Sequence, residues 1–122
     1  KLELGGKGAA VIFDDVDVNA TAARLVGAIT FHTGQVCCDA TRWLVHRKIY
    51  DRFVSECVGR LKSVAVGYQL DPASQMGPVV SAKQRERVLR YLEAGRAQGQ
   101  VQAEGGPRPL AGEDRARRLL DR

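Results

Sequence analysis

Residues 8–13, Gly-Ala-Ala-Val-Ile-Phe, limit the fold more than any other stretch: they form an unbroken apolar run closed by Asp14 and Asp15. A run this short between stop signals reads as a β-strand buried on both faces, and so as part of a sheet with helices around it. The next residues agree. Asp17 can cap a helix whose apolar positions Val18, Ala22, Leu25 and Ile29 recur at helical spacing. Phe31-His32-Thr33-Gly34 closes that helix, with Gly34 as the expected breaker.

Residues 42–49 read as a second strand. Asp51 opens a second helix with Phe53, Cys57 and Leu61 on one side and Val54 and Val58 beside them; it ends before Gly67. Residues 68–78 are punctuated by Asp71-Pro72 and Gly77-Pro78 and read as a loop. Ser81 and Gln84 have the spacing of a capping box. The third helix is expected to run to about Ala94, to stop at Gly95, and to bury Val88, Leu89 and Leu92. Strand and helix alternate, so the expected class is α/β, a mainly parallel sheet flanked by helices.

Composition excludes several functions. The formal charge is +5, from 19 basic and 14 acidic residues. The basic residues Lys83, Arg85, Arg87, Arg90 and Arg96 alternate with Glu86 and Glu93, which marks a solvated helix face and not a nucleic-acid surface. No apolar run approaches the roughly 20 residues that span a bilayer. Neither a nucleic-acid nor a membrane partner is expected. Three cysteines, Cys37, Cys38 and Cys57, do not make a secreted disulfide framework; they fit a reducing, cytoplasmic setting. The first residue is Lys1 and no leader precedes it, so the natural N-terminus is expected to lie elsewhere.

Two segments can carry chemistry. In Gly34-Gln35-Val36-Cys37-Cys38 a polar turn presents two thiols between a helix and a strand. A reactive thiol needs exposure and a lowered pKa, whereas a cysteine can equally serve as a small apolar filler. His32, Cys37, Cys38 and His46 fit no standard zinc spacing, so no metal site is expected. In Glu3-Leu4-Gly5-Gly6-Lys7 a carboxylate precedes two glycines that let a backbone approach a ligand closely. Such a carboxylate can act as a general base, although the same residues also occur in ordinary turns.

Taken together, the two segments resemble the catalytic domain of the aldehyde dehydrogenase superfamily. The first is similar to its Glu-Leu-Gly-Gly-Lys signature and the second to its Gly-Gln-x-Cys signature. Their separation of 34 positions, from Glu3 to Cys37, also matches. Phe13-Asp14-Asp15, Arg42, Tyr50-Asp51-Arg52-Phe53-Val54, Val66-Gly67, Asp71-Pro72 and Met76-Gly77-Pro78 follow in the family's order. The resemblance covers residues 1–106, a partial catalytic domain. Residues 107–122 form an irregular basic tail, as a shifted reading frame or a truncation would leave.

The resemblance implies oxidation of an aldehyde to a carboxylic acid with NAD or NADP. Cys37 is implied as the nucleophile that forms a thiohemiacetal and then a thioester. Glu3 is implied as the base that activates water, and the Cys37 backbone N–H as an oxyanion donor. Leu4 and Gly5 lie where the family's backbone passes the nicotinamide. Val36, Cys38 and Phe31 belong to the substrate tunnel, whose substrate is a small-molecule aldehyde. Lys7 is structural, Cys57 is inert packing, Trp43 and Tyr50 are core, and His46 is a mid-strand surface or interface residue. His32 stands at a place where the family often has Asn. The parent protein is expected to be a homodimer or homotetramer. Most cofactor-binding residues are expected outside this segment, which alone should be inactive. The alternative is a truncated module that does no chemistry.

Overall fold

The structure is a computed structural model that describes residues 1–99. The expectations for residues 100–122, the tail among them, lie outside the described residues. The chain divides into two compact units, Lys1–Arg60 and Leu61–Arg122.

In the first unit, strand β1 (Ala9–Ile12) is followed by helix α1 (Val18–Thr30), strand β2 (Arg42–Val45) and the start of helix α2 (Tyr50–Ser63). The two strands pair in parallel, with Ala9 opposite Arg42 and Ile12 opposite Val45. A parallel pair needs a crossover, and α1 supplies it, giving the expected β-α-β unit. Asp17 caps α1 as anticipated: its carboxylate accepts from the Ala20 N–H at 3.0 Å. That bond satisfies one of the helix's orphan donors.

The first correction concerns the strands. The apolar run suggested burial on both faces, but burial in β1 alternates. Ile12 and its register partner Val45 are buried, whereas Val11 and Phe13 are 60% and 61% exposed. Successive side chains point to opposite faces. Only the Ile12–Val45 face is covered among the described residues. Phe53 of α2, 1% exposed, sets its ring edge-on to Trp43 of β2 at 5.6 Å. The Trp43 indole N–H donates to the Ala40 carbonyl at 2.7 Å, so the half-buried ring leaves no unmet donor. Arg60 of α2 hydrogen-bonds Asn19 of α1.

The buried set of this unit is Ile12, Val18, Ala22, Val26, Val45, Tyr50, Phe53 and Cys57. Tyr50 and Cys57 are core, as read from the sequence. On α1 the stripe centres on Val18, Ala22 and Val26, with Leu25 and Ile29 half-buried at its margin. Burial pushes the Cys57 thiol up to about 11, which suits an inert filler. Phe53→Ala should therefore cost about 3–5 kcal/mol, the usual range for emptying an aromatic core site. A urea-unfolding midpoint unchanged by this substitution would show that Phe53 is not a core anchor.

The second correction is the end of β2, expected to run through Ile49. It stops at Val45, and Arg47–Ile49 form a tight 3-10 turn. His46 is thus not mid-strand; it is half-buried, and its Nδ1 accepts from the Lys48 N–H at 3.4 Å. Lys48 Nζ donates to Asp14 at 2.9 Å, with His46 at 3.9 Å from the same carboxylate. These contacts turn the chain away from the sheet. The Lys48 hydrogen bond holds the Asp14 carboxyl below its ordinary range, and Asp14 raises Lys48 in return.

In the second unit Val66 and Met76 form a parallel bridge: Gly67 N–H donates to the Met76 carbonyl at 3.0 Å and Met76 N–H to that of Ala65 at 3.1 Å. Between them Asp71 Oδ1 accepts from the Ala73 N–H at 2.9 Å, the turn anticipated at Asp71-Pro72. Helix α3 (Ala82–Ala97) starts at Ser81, whose Oγ accepts from the Gln84 N–H at 3.2 Å. It runs through Gly95, where a stop was expected. One interior glycine costs only about 1 kcal/mol, and the left-handed residue that ends the helix is Gly99, at φ 64°. Val88 and Leu89, expected to be buried, are exposed, and Leu92 is half-buried. No element of this unit covers that side of α3 among the described residues. Nor is any described helix long and apolar enough to cross a membrane.

Candidate active site

Both signature segments lead into the same end of neighbouring parallel strands. Residues 3–7 run into β1 and residues 34–38 into β2. The register offsets the strands by 33 positions, Ala9 facing Arg42, while Glu3 and Cys37 are 34 apart. Both segments therefore enter the sheet at the same, N-terminal end of its strands.

The contact is direct at Gly6. A Cβ built there would fall on the Cys37 carbonyl oxygen, and one at Gly8 would come within 3.0 Å of the Asp39 carbonyl. The segments are tied by the Arg42 side chain, whose Nε donates to the Lys7 carbonyl at 2.9 Å, and by the Arg42 N–H, which donates to the Gly8 carbonyl at 3.2 Å. Lys7 takes part in this tie through its backbone carbonyl. The role of Arg42 as the clasp was not read from the sequence, where Arg42 stood only as a landmark at the start of a strand.

Gly6→Ala should push the two segments apart. The expected result is a loss of about 1–3 kcal/mol of stability, as for other overpacked sites. A displacement of about 1 Å at a reacting group also costs roughly 100-fold in rate. Unchanged unfolding and unchanged Cys37 alkylation in this variant would show that the close approach is absent in solution.

Most side chains named from sequence are open to solvent. Glu3, Cys37 and Cys38 are exposed, and Val36 is half-buried. Phe31 is exposed, its ring tilted against that of His32 with centroids 6.4 Å apart. Leu4 is 83% exposed, and Gly5, at φ 70°, has no atom within 4 Å of the place a Cβ would occupy. Backbone that is open and left-handed in this way lets a flat ring lie directly against it. One Asp39 carboxylate oxygen is shielded from solvent and has no hydrogen-bond partner among the described residues. No group of three or more His, Cys, Asp or Glu is placed to hold a metal ion among the described residues.

Residues 31–34 close α1 as expected, but the break comes before Gly34. Gly34 was expected to break the helix, but α1 ends at Thr30, whose Oγ1 donates back to the Val26 carbonyl at 2.8 Å. The chain then turns left-handed at His32 (φ 48°, ψ 34°) and Thr33 (φ 59°, ψ 32°), before Gly34 at φ 69°. For L-residues this conformation costs about 1–2 kcal/mol each, and a β-branched threonine is an outlier there. No local sequence preference announces it.

A sequence model of the aldehyde dehydrogenase family matches residues 1–117. Betaine aldehyde dehydrogenase of Brucella anthropi is 42% identical over 108 residues, 88% of this chain and 22% of that protein. The Brucella ovis protein of the same name is 41% identical over the same shares. Among solved structures, a mutant aldehyde dehydrogenase from Bacillus cereus superposes with a TM-score of 0.78 at 38% identity, covering 85% of this chain and 21% of that one. Betaine aldehyde dehydrogenase from Staphylococcus aureus in complex with NAD+ superposes with a TM-score of 0.79 at 33% identity, covering 92% and 22%. The chain thus spans about a fifth of the length of the relatives it matches.

Proposed function

The chain belongs to the aldehyde dehydrogenase family, and from that premise we propose that it carries the nucleophile and the base of an enzyme that oxidises an aldehyde to a carboxylic acid. One observation carries this reading: the parallel register brings the Glu3 segment against the Cys37 backbone at Gly6. The relatives' names favour an aldehyde substrate, and the NAD+ held by the Staphylococcus aureus protein favours a nicotinamide cofactor.

In this mechanism the Cys37 thiolate attacks the aldehyde carbon. A C–S bond forms, and the carbonyl π pair moves to oxygen as an alkoxide. The Cys37 N–H donates to that oxyanion. NAD or NADP, when bound, supplies the acceptor for the hydride that leaves this carbon. Leu4 and Gly5 would offer the open backbone on which its ring could rest. Cys37 is left as a thioester. Glu3 then takes a proton from water, the hydroxide adds to the thioester carbon, and the C–S bond breaks to return the thiolate and release the acid. Val36, Cys38 and Phe31 border the substrate's approach, with Cys38 as wall and not as second nucleophile.

Residues 1–106 belong to the catalytic part, and the family match runs on to residue 117. The segment alone is inactive, because most cofactor-binding residues belong to the rest of the enzyme. That enzyme acts in the cytoplasm as a homodimer or homotetramer, without a nucleic-acid or membrane partner. The test is to give the full-length protein a series of small aldehydes with NAD+ or NADP+, following reduced cofactor and the acid formed. Reduced cofactor and acid in equal amounts are expected; no reduction with any aldehyde would refute the proposal.

A further inference from the structure

We infer that Gln35 is a positioning residue for the Cys37 thiol: its side-chain amide clamps the left-handed turn through which α1 hands the chain to the thiol loop. The inference rests on the reading of Cys37 as nucleophile.

His32 and Thr33 are consecutive L-residues with positive φ, and Gly34 continues the run. Such a run persists only where its surroundings over-determine it. On its helix side it is anchored by the Phe31 N–H, which donates to the Ala28 and Gly27 carbonyls. On its thiol side the anchor is Gln35. The Gln35 backbone N–H donates to the His32 carbonyl at 3.2 Å, and the Gln35 Nε2 donates to the same oxygen at 3.1 Å. One carbonyl oxygen has two lone pairs, and a single residue supplies donors to both. Any L-residue could give the first bond. The second needs a side-chain N–H at the reach of a glutamine.

The clamp matters because Cys37 lies two residues beyond it, with its carbonyl against Gly6. If the turn relaxes toward ordinary φ at Thr33, the thiol loop swings relative to the Glu3 segment. A reacting sulfur has to come within about 3–3.5 Å of its carbon, and misplacement by about 1 Å costs roughly 100-fold. Gln35 therefore governs the rate of the chemical step without touching the substrate.

The experiment uses the full-length enzyme with Gln35→Met, which keeps the volume and removes the donor, and with Thr33→Gly added to it. Glycine adopts positive φ without steric cost, so it should hold the turn without the clamp. Gln35→Met should lower kcat and the rate of Cys37 alkylation by iodoacetamide about 10- to 100-fold, with KM within about twofold. Adding Thr33→Gly should recover at least about a third of the lost kcat on a logarithmic scale, the coupling expected of two residues serving one turn. Wild-type kcat in Gln35→Met overturns the inference. So does a loss of kcat that tracks a falling Tm and is not recovered by Thr33→Gly, since that is a fold defect and not misplacement. Cys37→Ala separates the two levels. If it retains turnover, the nucleophile reading fails and this inference falls with it. If it abolishes turnover while Gln35→Met keeps it, only the clamp falls.

Discussion

Cys37→Ala in the full-length protein should reduce aldehyde oxidation by at least about 10⁴-fold in kcat, with the fold intact. The proposed chemistry is covalent, and removing the nucleophile of a covalent mechanism removes the pathway, leaving only what binding and electrostatics supply. Cys37 is exposed and lies in a turn, so the methyl group of alanine opens no cavity and the unfolding midpoint should not move. Cys38 is the built-in control. It is also exposed and one residue away, so Cys38→Ala should change KM or aldehyde preference and retain most of kcat. If Cys38→Ala is the dead variant and Cys37→Ala the active one, the motif has been assigned to the wrong sulfur.

Glu3→Gln should have a different signature. Hydride transfer precedes the step that needs the base, so the first turnover should still yield one equivalent of reduced cofactor per active site. Steady-state turnover should then fall by about 10²–10⁴-fold, the usual worth of a positioned general base. Acid-quenched protein should carry the acyl group as a thioester on the Cys37 peptide, seen as added mass and released by hydroxylamine. Unaltered steady-state turnover in Glu3→Gln, or an acyl group on any other residue, would remove Glu3 from the mechanism.

What could be read from the chain before its structure was what short-range chemistry determines. Asp17 and Ser81 cap their helices because a side-chain oxygen three residues before an orphan N–H is a local arrangement. The order of strands and helices followed from apolar period. Errors arose wherever a distant group decided the outcome. Strand β2 ends at Val45 and not Ile49 once Lys48 reaches back 34 positions to Asp14. The apolar run at 8–13 could not reveal that only one face of β1 is covered among the described residues, since periodicity reports what a strand can bury and not what reaches it. Val88 and Leu89 are exposed for the same reason. At the site, residue types and motif spacing were legible, and the parallel pairing shows why both segments enter the same end of the sheet. The clasp at Arg42 and the turn at His32 and Thr33 were not, because each depends on a bond or a backbone state that no residue type announces.

The open face of the sheet also bears on how this segment behaves while a ribosome is making it. Val11, Phe13 and Leu44 form a greasy side, and among the described residues each of the two strands keeps an unpaired edge. A strand pair with a bare apolar face and free edges is a template for pairing with other chains. Nascent or isolated copies of residues 1–99 should therefore be limited by self-association before they are limited by unfolding, with soluble yield falling as concentration rises. Chaperone holding or dilute refolding is the remedy to choose, and a stabilising core mutation is not.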